Sequence, residues 1–235
     1  MSTPIQQPNT SQASQGSLGG KIRDVLTRWL REEVDDMLPA VVISYNDDAN
    51  TAVVRPLVMV GTTDGLKVSR SQLPPVPVFR FGGGEFFIRF PIKPGDFGWI
   101  KAQDRDVSLV MQRGGSEDWP NTTRLHSFSD GIFIPHAVKD WIIAEEDADA
   151  AVFQSLDGIT KVALHADKAV IACGETRIEI NETSVIQTVG ASVITTTTAG
   201  VAIVSPTLTH NGVNVGSTHR HKDVTPGTGN SGVPV

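Results

Sequence analysis

Two histidines, His219 and His221, stand two residues apart in the segment Thr218-His219-Arg220-His221. At that spacing both side chains leave the same side of an extended strand, so both imidazoles can face one ligand. Two nitrogens do not complete a metal site. Three chains around a common axis would supply six, an octahedral set that suits a first-row metal such as Fe(II) better than tetrahedral Zn(II). Neutral imidazoles do the binding, so such a site weakens below the reference histidine pKa of about 6.5.

Catalytic readings of the same residues are weaker. His221-Lys222-Asp223 has the His-x-Asp form of a non-haem iron facial triad, with His210 or His165 as the remote ligand. That chemistry needs a substrate cavity walled by a roomy core, and no Phe, Trp or Tyr follows Phe153. A cupin-like His-x-His site meets the same objection. Gly82-Gly83-Gly84 lacks the lysine and the strand-to-helix context of a phosphate-binding loop and reads as a hairpin turn. His126 and His136 lie near Asp130 and Asp140 without a nucleophile, and no chemistry is assigned to them. The expectation is a protein that is not an enzyme.

Composition sets the wider bounds. The chain has 235 residues, a formal net charge of -6 and a single cysteine, Cys173. One cysteine gives no disulfide framework within the chain and no Cys-based zinc site, and it leaves the redox compartment open. The acidic balance argues against nucleic acid as a partner, whose binding proteins carry a basic face. Residues 1–20 are polar, without a signal-like apolar run, and no stretch has the length of a membrane-spanning helix. The protein is therefore expected to be made soluble in the cytoplasm of the producing cell.

The elements that would position the histidines follow from hydrophobic periodicity. Residues 1–20 read as disordered, too poor in apolar side chains to offset chain entropy. Over 21–38, Ile22, Val25, Leu26, Trp29, Leu30, Val34 and Met37 recur at helical spacing up to Pro39 and predict an amphipathic helix. Over 39–113, short apolar runs alternate with turn residues: AVVISY, AVVRPLVMV, VPVFRF, EFFIRFP, FGWIKA and VSLVMQ. Five or six such strands suit an oligonucleotide/oligosaccharide-binding (OB)-like barrel. Residues 114–153 read as a connector whose GIFIPHAVKDWII stretch packs back on the barrel, with Glu145, Glu146, Asp147 and Asp149 as a solvated boundary.

From Gly158 the chain falls into four copies of a sixteen-residue repeat: GITKVALHADKAVIAC, GETRIEINETSVIQTV, GASVITTTTAGVAIVS and PTLTHNGVNVGSTHRH. Alternation puts Val162, Leu164, Ala169, Ile171, Cys173, Ile178, Ile180, Val185, Gln187, Val189, Ile194, Thr196, Val201, Ile203 and Ser205 on one face, with His210, Gly212, Ser217, His219 and His221 continuing it. Lys161, Arg177, Glu179 and Glu182 fall on the other side. Strands this short cannot bury enough alone, and three copies about an axis would cover one another's Val/Ile columns. On that axis Cys173 is an apolar filler, Gln187 and Thr196 need hydrogen bonds or water, and His210 marks a possible second ion or water site. Inward-facing imidazoles likewise need partners, because an unpaired buried polar group costs about 1–3 kcal/mol. The fold class expected is mainly β: N-terminal helix, OB-like barrel, then an intertwined trimeric β-helix or β-prism over 154–216, tapering to an apex at 217–235.

The ending STHRHKDVTPGTGNSGVP resembles the C-terminal signature of the central membrane-piercing baseplate spikes of contractile-tailed bacteriophages. Gly216, the His219-x-His221 pair, Pro226-Gly227-x-Gly229 and Gly232-Val233-Pro234 carry the likeness, and the order helix, barrel, aromatic-free tail agrees with it. Lys222 and Asp223 depart from the small residues that often follow the second histidine. The resemblance implies a homotrimer whose His219 and His221, six histidines in all, coordinate one iron ion per trimer. It further implies a virion protein of the tail baseplate, attached to the hub or tail tube, that meets the bacterial outer membrane transiently. A trimeric receptor-binding adhesin or short tail fibre is the alternative.

Overall fold

The computed structural model describes residues 16–61, 65–137, 140–220 and 227. The chain is mainly β and divides into two compact units between residues 138 and 139.

The first unit opens with helix α1, Leu18–Glu33, capped by Ser17, whose Oγ accepts from the Gly20 N–H at 3.1 Å. The helical periodicity runs on to Met37, but the helix stops earlier: Val34 is already extended and Met37 opens the first strand. Asp35 fixes that change of direction. Its N–H donates to His126 O at 2.9 Å, and its carboxylate accepts from the Phe128 N–H at 3.1 Å.

Five strands follow: β1 Met37–Asn46, β2 Thr51–Pro56, β3 Val76–Pro77, β4 Phe97–Arg105 and β5 Leu125–Pro135. They form one antiparallel sheet in the order β3-β2-β1-β4-β5. A bridge between Val78 and Phe133 joins its two ends and nearly closes a barrel. Alternate residues Ala40, Val42, Ala52, Val54, Ile100 and Ala102 point inward with Val76, Phe128 and Phe133. Gly98 has no room for a side chain, since a Cβ there would strike Ile134 O and the Phe133 ring.

Two stretches of this unit differ from their apolar pattern. VSLVMQ is a short helix, α2 Ser108–Gln112, rather than a strand. Buried Asp106 turns the chain there, accepting from the Ser108 N–H at 2.9 Å and the Thr122 hydroxyl at 2.8 Å. The fifth strand lies instead in the segment read as a connector. His126 adopts a left-handed φ of 47° and the pairing with β4 shifts register between Lys101 and Gln103, so strict alternation is broken where β5 begins.

The second unit holds seven strands: β6 Ala151–Gln154, β7 Thr160–Leu164, β8 Lys168–Cys173, β9 Thr176–Asn181, β10 Ser184–Val189, β11 Ser192–Thr197 and β12 Gly200–Val204. Each pairs antiparallel with its neighbour in sequence. Gly158, Gly174 and Gly190, the first residue of three successive repeat copies, have φ of 72°, 59° and 55°. A left-handed residue at that place lets a tight turn match the strand twist, and glycine takes it without penalty. The fourth copy has Pro206 there, whose ring forbids a positive φ. The meander ends at Val204, and the chain makes a separate hairpin of β13 Thr209–His210 and β14 Val213–Asn214. Asn211 and Gly212, with φ of 49° and 78°, form its turn.

One face of the meander is covered near its start. Ala163, Val170 and Ala172 are buried with Ala150 and Val152 packed against them. Lys161 lies on this same side but does not reach solvent: it is 8% exposed and pairs with Glu146 at 2.6 Å and with Asp147, itself 2% exposed. The His165 Nε2 stands 3.2 Å from Asp147. The acidic segment is therefore a charged clamp on the sheet, where the pattern suggested a solvated boundary. Removing the cation strands a buried carboxylate, so Lys161→Met is expected to destabilise the protein by about 3–5 kcal/mol, and Lys161→Met with Asp147→Leu to recover most of that. Urea unfolding of the two variants beside the wild type measures both.

Candidate functional site

The other face of the meander is the largest uncovered feature of the second unit. Cross-strand partners align Phe153, Val162, Ile171, Ile178, Gln187, Ile194 and Ile203 in one column. Leu164, Ala169, Ile180, Val185, Thr196 and Val201 form the next. Apart from Phe153, which precedes the repeat, these are residues that the repeat assigned to one side, so its register holds through three copies. Among the described residues nothing covers them: the Val, Ile and Leu residues from Val162 to Ile203 in these columns, Val185 aside, are 37% to 63% exposed. An apolar surface that continuous marks a contact site.

The fourth copy does not continue the face. His210 pairs with Val213 in the terminal hairpin, and Ser217 to Arg220 form no strand. His219 lies in a turn, where its N–H donates to Gly216 O at 3.1 Å and its Nδ1 stands 2.7 Å from the same oxygen. A carbonyl only accepts, so Nδ1 is the donor in this contact, and in a neutral ring the lone pair falls on Nε2. A backbone carbonyl holding one ring nitrogen is the usual support for a histidine that binds metal through the other. Gly216 is set by its own N–H on Asn214 Oδ1 at 2.9 Å, and Asn214 Nδ2 reaches Thr218 Oγ1 at 3.0 Å. The residue thus fits a metal ligand, though among the described residues no group of three or more His, Cys, Asp or Glu could hold an ion within one chain. His221, Lys222 and Asp223 lie outside the described residues.

The remaining histidines go elsewhere. His165 belongs to the Asp147 clamp, His126 stands 3.3 Å from Asp104, and His136 packs edge-on against Phe97 and Trp99. Cys173 shares the open face with Thr160 and Thr176. Gly82 and Gly83 pair with Phe87 and Phe86 in a two-stranded ribbon, the hairpin their sequence indicated.

That ribbon carries a feature which residue patterns did not single out. Asp47, in the β1–β2 turn, accepts from Arg89 Nε at 2.9 Å, Arg80 Nη2 at 2.8 Å and the Tyr45 hydroxyl at 2.9 Å. The two arginines flank the hairpin, and Arg80 also sits 5.5 Å from the Phe87 ring centre. One carboxylate therefore fixes a projection on which Phe81, Phe86 and Phe87 are exposed, Phe86 by 84%. The alternation of Arg and Phe in FRFGGGEFFIRF is the signal that could have found it.

A nearly closed barrel followed by a repetitive antiparallel sheet makes this a mainly β protein. Residues 38–136, which span the five barrel strands, match the family model described as the phage protein Gp138 N-terminal domain. That likeness supports a structural, non-enzymatic component of a phage virion. No curated protein matches the chain. Among the described residues no helix is long and apolar enough to cross a membrane.

The Asp47 cluster has a pH signature. The Arg89 guanidinium, then the Tyr45 hydroxyl, hold the Asp47 carboxyl down at about 2. A depressed carboxyl adds stability that is present above its unfolded value, about 3.9, and is lost as pH falls through the folded one. Amide protection in the 82–87 ribbon, read by hydrogen exchange, is therefore expected to fall between about pH 4 and pH 2. In Asp47→Asn it should already be low at neutral pH and change little across that window.

Proposed function

We propose that this chain is the central spike of a contractile phage tail baseplate, a homotrimer driven through the bacterial outer membrane by the sheath. One observation carries the reading: the meander presents columns rich in Val, Ile and Leu that the described residues of its own chain leave open. Three copies about an axis would place those faces against one another and remove them from water at about 25 cal/mol per Å² buried. The barrel unit, with its phage-domain likeness, would join the hub or tail tube.

His219 and His221 of three copies would hold one iron ion at the C-terminal end. Bound there, the metal supplies a cross-link between three chain ends, which would otherwise be the first parts to open. The support within the chain is the His219 ring, whose Nδ1 is engaged by Gly216 O and whose Nε2 has the lone pair in the neutral form. The role needs stiffness and a closed end, and no catalytic step.

Native mass and metal content of the purified protein test this together. The expected result is a trimer with about one iron per three chains, and a His219→Ala/His221→Ala variant that has lost the metal. A metal-free monomer would overturn the proposal.

A further inference from the structure

The two central columns of the open face are apolar except at Gln187 and Thr196. In the first column Gln187 lies between Ile178 on β9 and Ile194 on β11, and its same-face neighbours along β10 are Val185 and Val189. Thr196, diagonal to it on β11, is the polar exception of the second column. The residues one repeat before and after Gln187 are Ile171 and Ile203, and one repeat before Thr196 is Ile180. The Gln187 side chain makes no hydrogen bond to any described residue of its own chain.

The period of the repeat makes this exception consequential. Sixteen residues are two strands, so sliding one copy along another by one hairpin, about 9.5 Å, sets Val and Ile against Val and Ile again. Apolar contact alone barely separates the correct alignment from the slipped one. A slip does change the surroundings of Gln187, whose amide would meet Ile171 or Ile203 and lose every hydrogen-bonding partner. Leaving such a group buried and unpaired is heavily penalised, whereas glutamines at one height can donate and accept among themselves.

We propose that Gln187, with Thr196 beside it, forms a polar layer between copies of this chain that fixes their axial register. The inference rests on the trimer proposed above. Another copy in the same alignment offers an amide at that height in an otherwise apolar column, and the self-complementarity of the two columns makes the chain itself the occupant of this part of the face. Polar layers of this kind lower stability and raise specificity, because they act chiefly against wrong pairings.

Co-refolding of the full-length chain with a tagged relocated variant, Gln187→Ile/Val162→Gln, reads this directly, because the two positions lie three strands apart and no slip by whole hairpins brings their glutamines to one height. Two wild-type chains with different tags should mix statistically, giving roughly three quarters mixed trimers. The wild type and the relocated variant should sort, with mixed trimers depleted at least about tenfold. Should the relocated variant not assemble alone, Gln187→Ile takes its place, with depletion of about threefold or more expected. Gln187→Ile by itself should remain a trimer and melt higher than the wild type, by on the order of 5 °C. Statistical mixing of the variant with the wild type, or a Gln187→Ile trimer that melts no higher, overturns the polar layer while leaving the trimer intact. A monomeric wild type overturns the trimer itself.

Discussion

A sheet has two faces, and the second unit covers only part of one with its own residues. The segment around Asp147 closes over Ala163, Val170 and Ala172, while the opposite columns of Val, Ile and Leu have no cover among the described residues. Each hairpin of the meander exposes the same kind of surface, so the deficit grows with every repeat and cannot be repaired by local folding. No aromatic follows Phe153, so from Val162 onward the columns are built mainly of small and branched side chains.

The two units meet the need for burial in different ways. The barrel closes on itself: the Val78–Phe133 bridge joins the ends of the sheet, and ten buried residues fill the space inside. Its charged groups act at the edges, with Asp106, Arg124 and Asp130 holding the α2 loop and Asp47 holding the aromatic hairpin. In the meander the charges lie against the sheet itself. Lys161 is kept ionised against the cost of its burial by Asp147 and Glu146, and the Glu146 carboxyl is held low mainly by Lys161. That pair ties the start of the sheet to the segment before it.

Much of this was legible in the residues. Strict alternation assigned the open face of the meander correctly from Val162 to Ile203, because each side chain's direction there depends only on counting by two. Counting failed where a backbone angle interrupted it. Left-handed His126 hid the fifth barrel strand, Asp106 turned a strand-like run into α2, and Pro206 ended a repeat whose side-chain pattern seemed to continue. The extended register that carried the face towards His219 therefore does not reach it. What the structure adds is a carbonyl that fixes the tautomer of that ring. The Lys161 clamp was illegible for another reason, since an isolated lysine in a strand reads as solvated until its partners are placed. Small Ala163 and Ala172 on the same side were the only hint that something lay over it.

The pairing pattern of the meander has an architectural consequence. Every strand from β6 to β12 is bonded only to its neighbours in sequence, and the first three sixteen-residue copies each begin from a left-handed glycine. A duplicated or deleted copy would therefore change the extent of the sheet by two strands, about 9.5 Å, without altering any other strand's pairing. Length in this unit is a free variable, adjustable in whole hairpins by duplication and deletion, while the barrel, closed on itself, admits no such change.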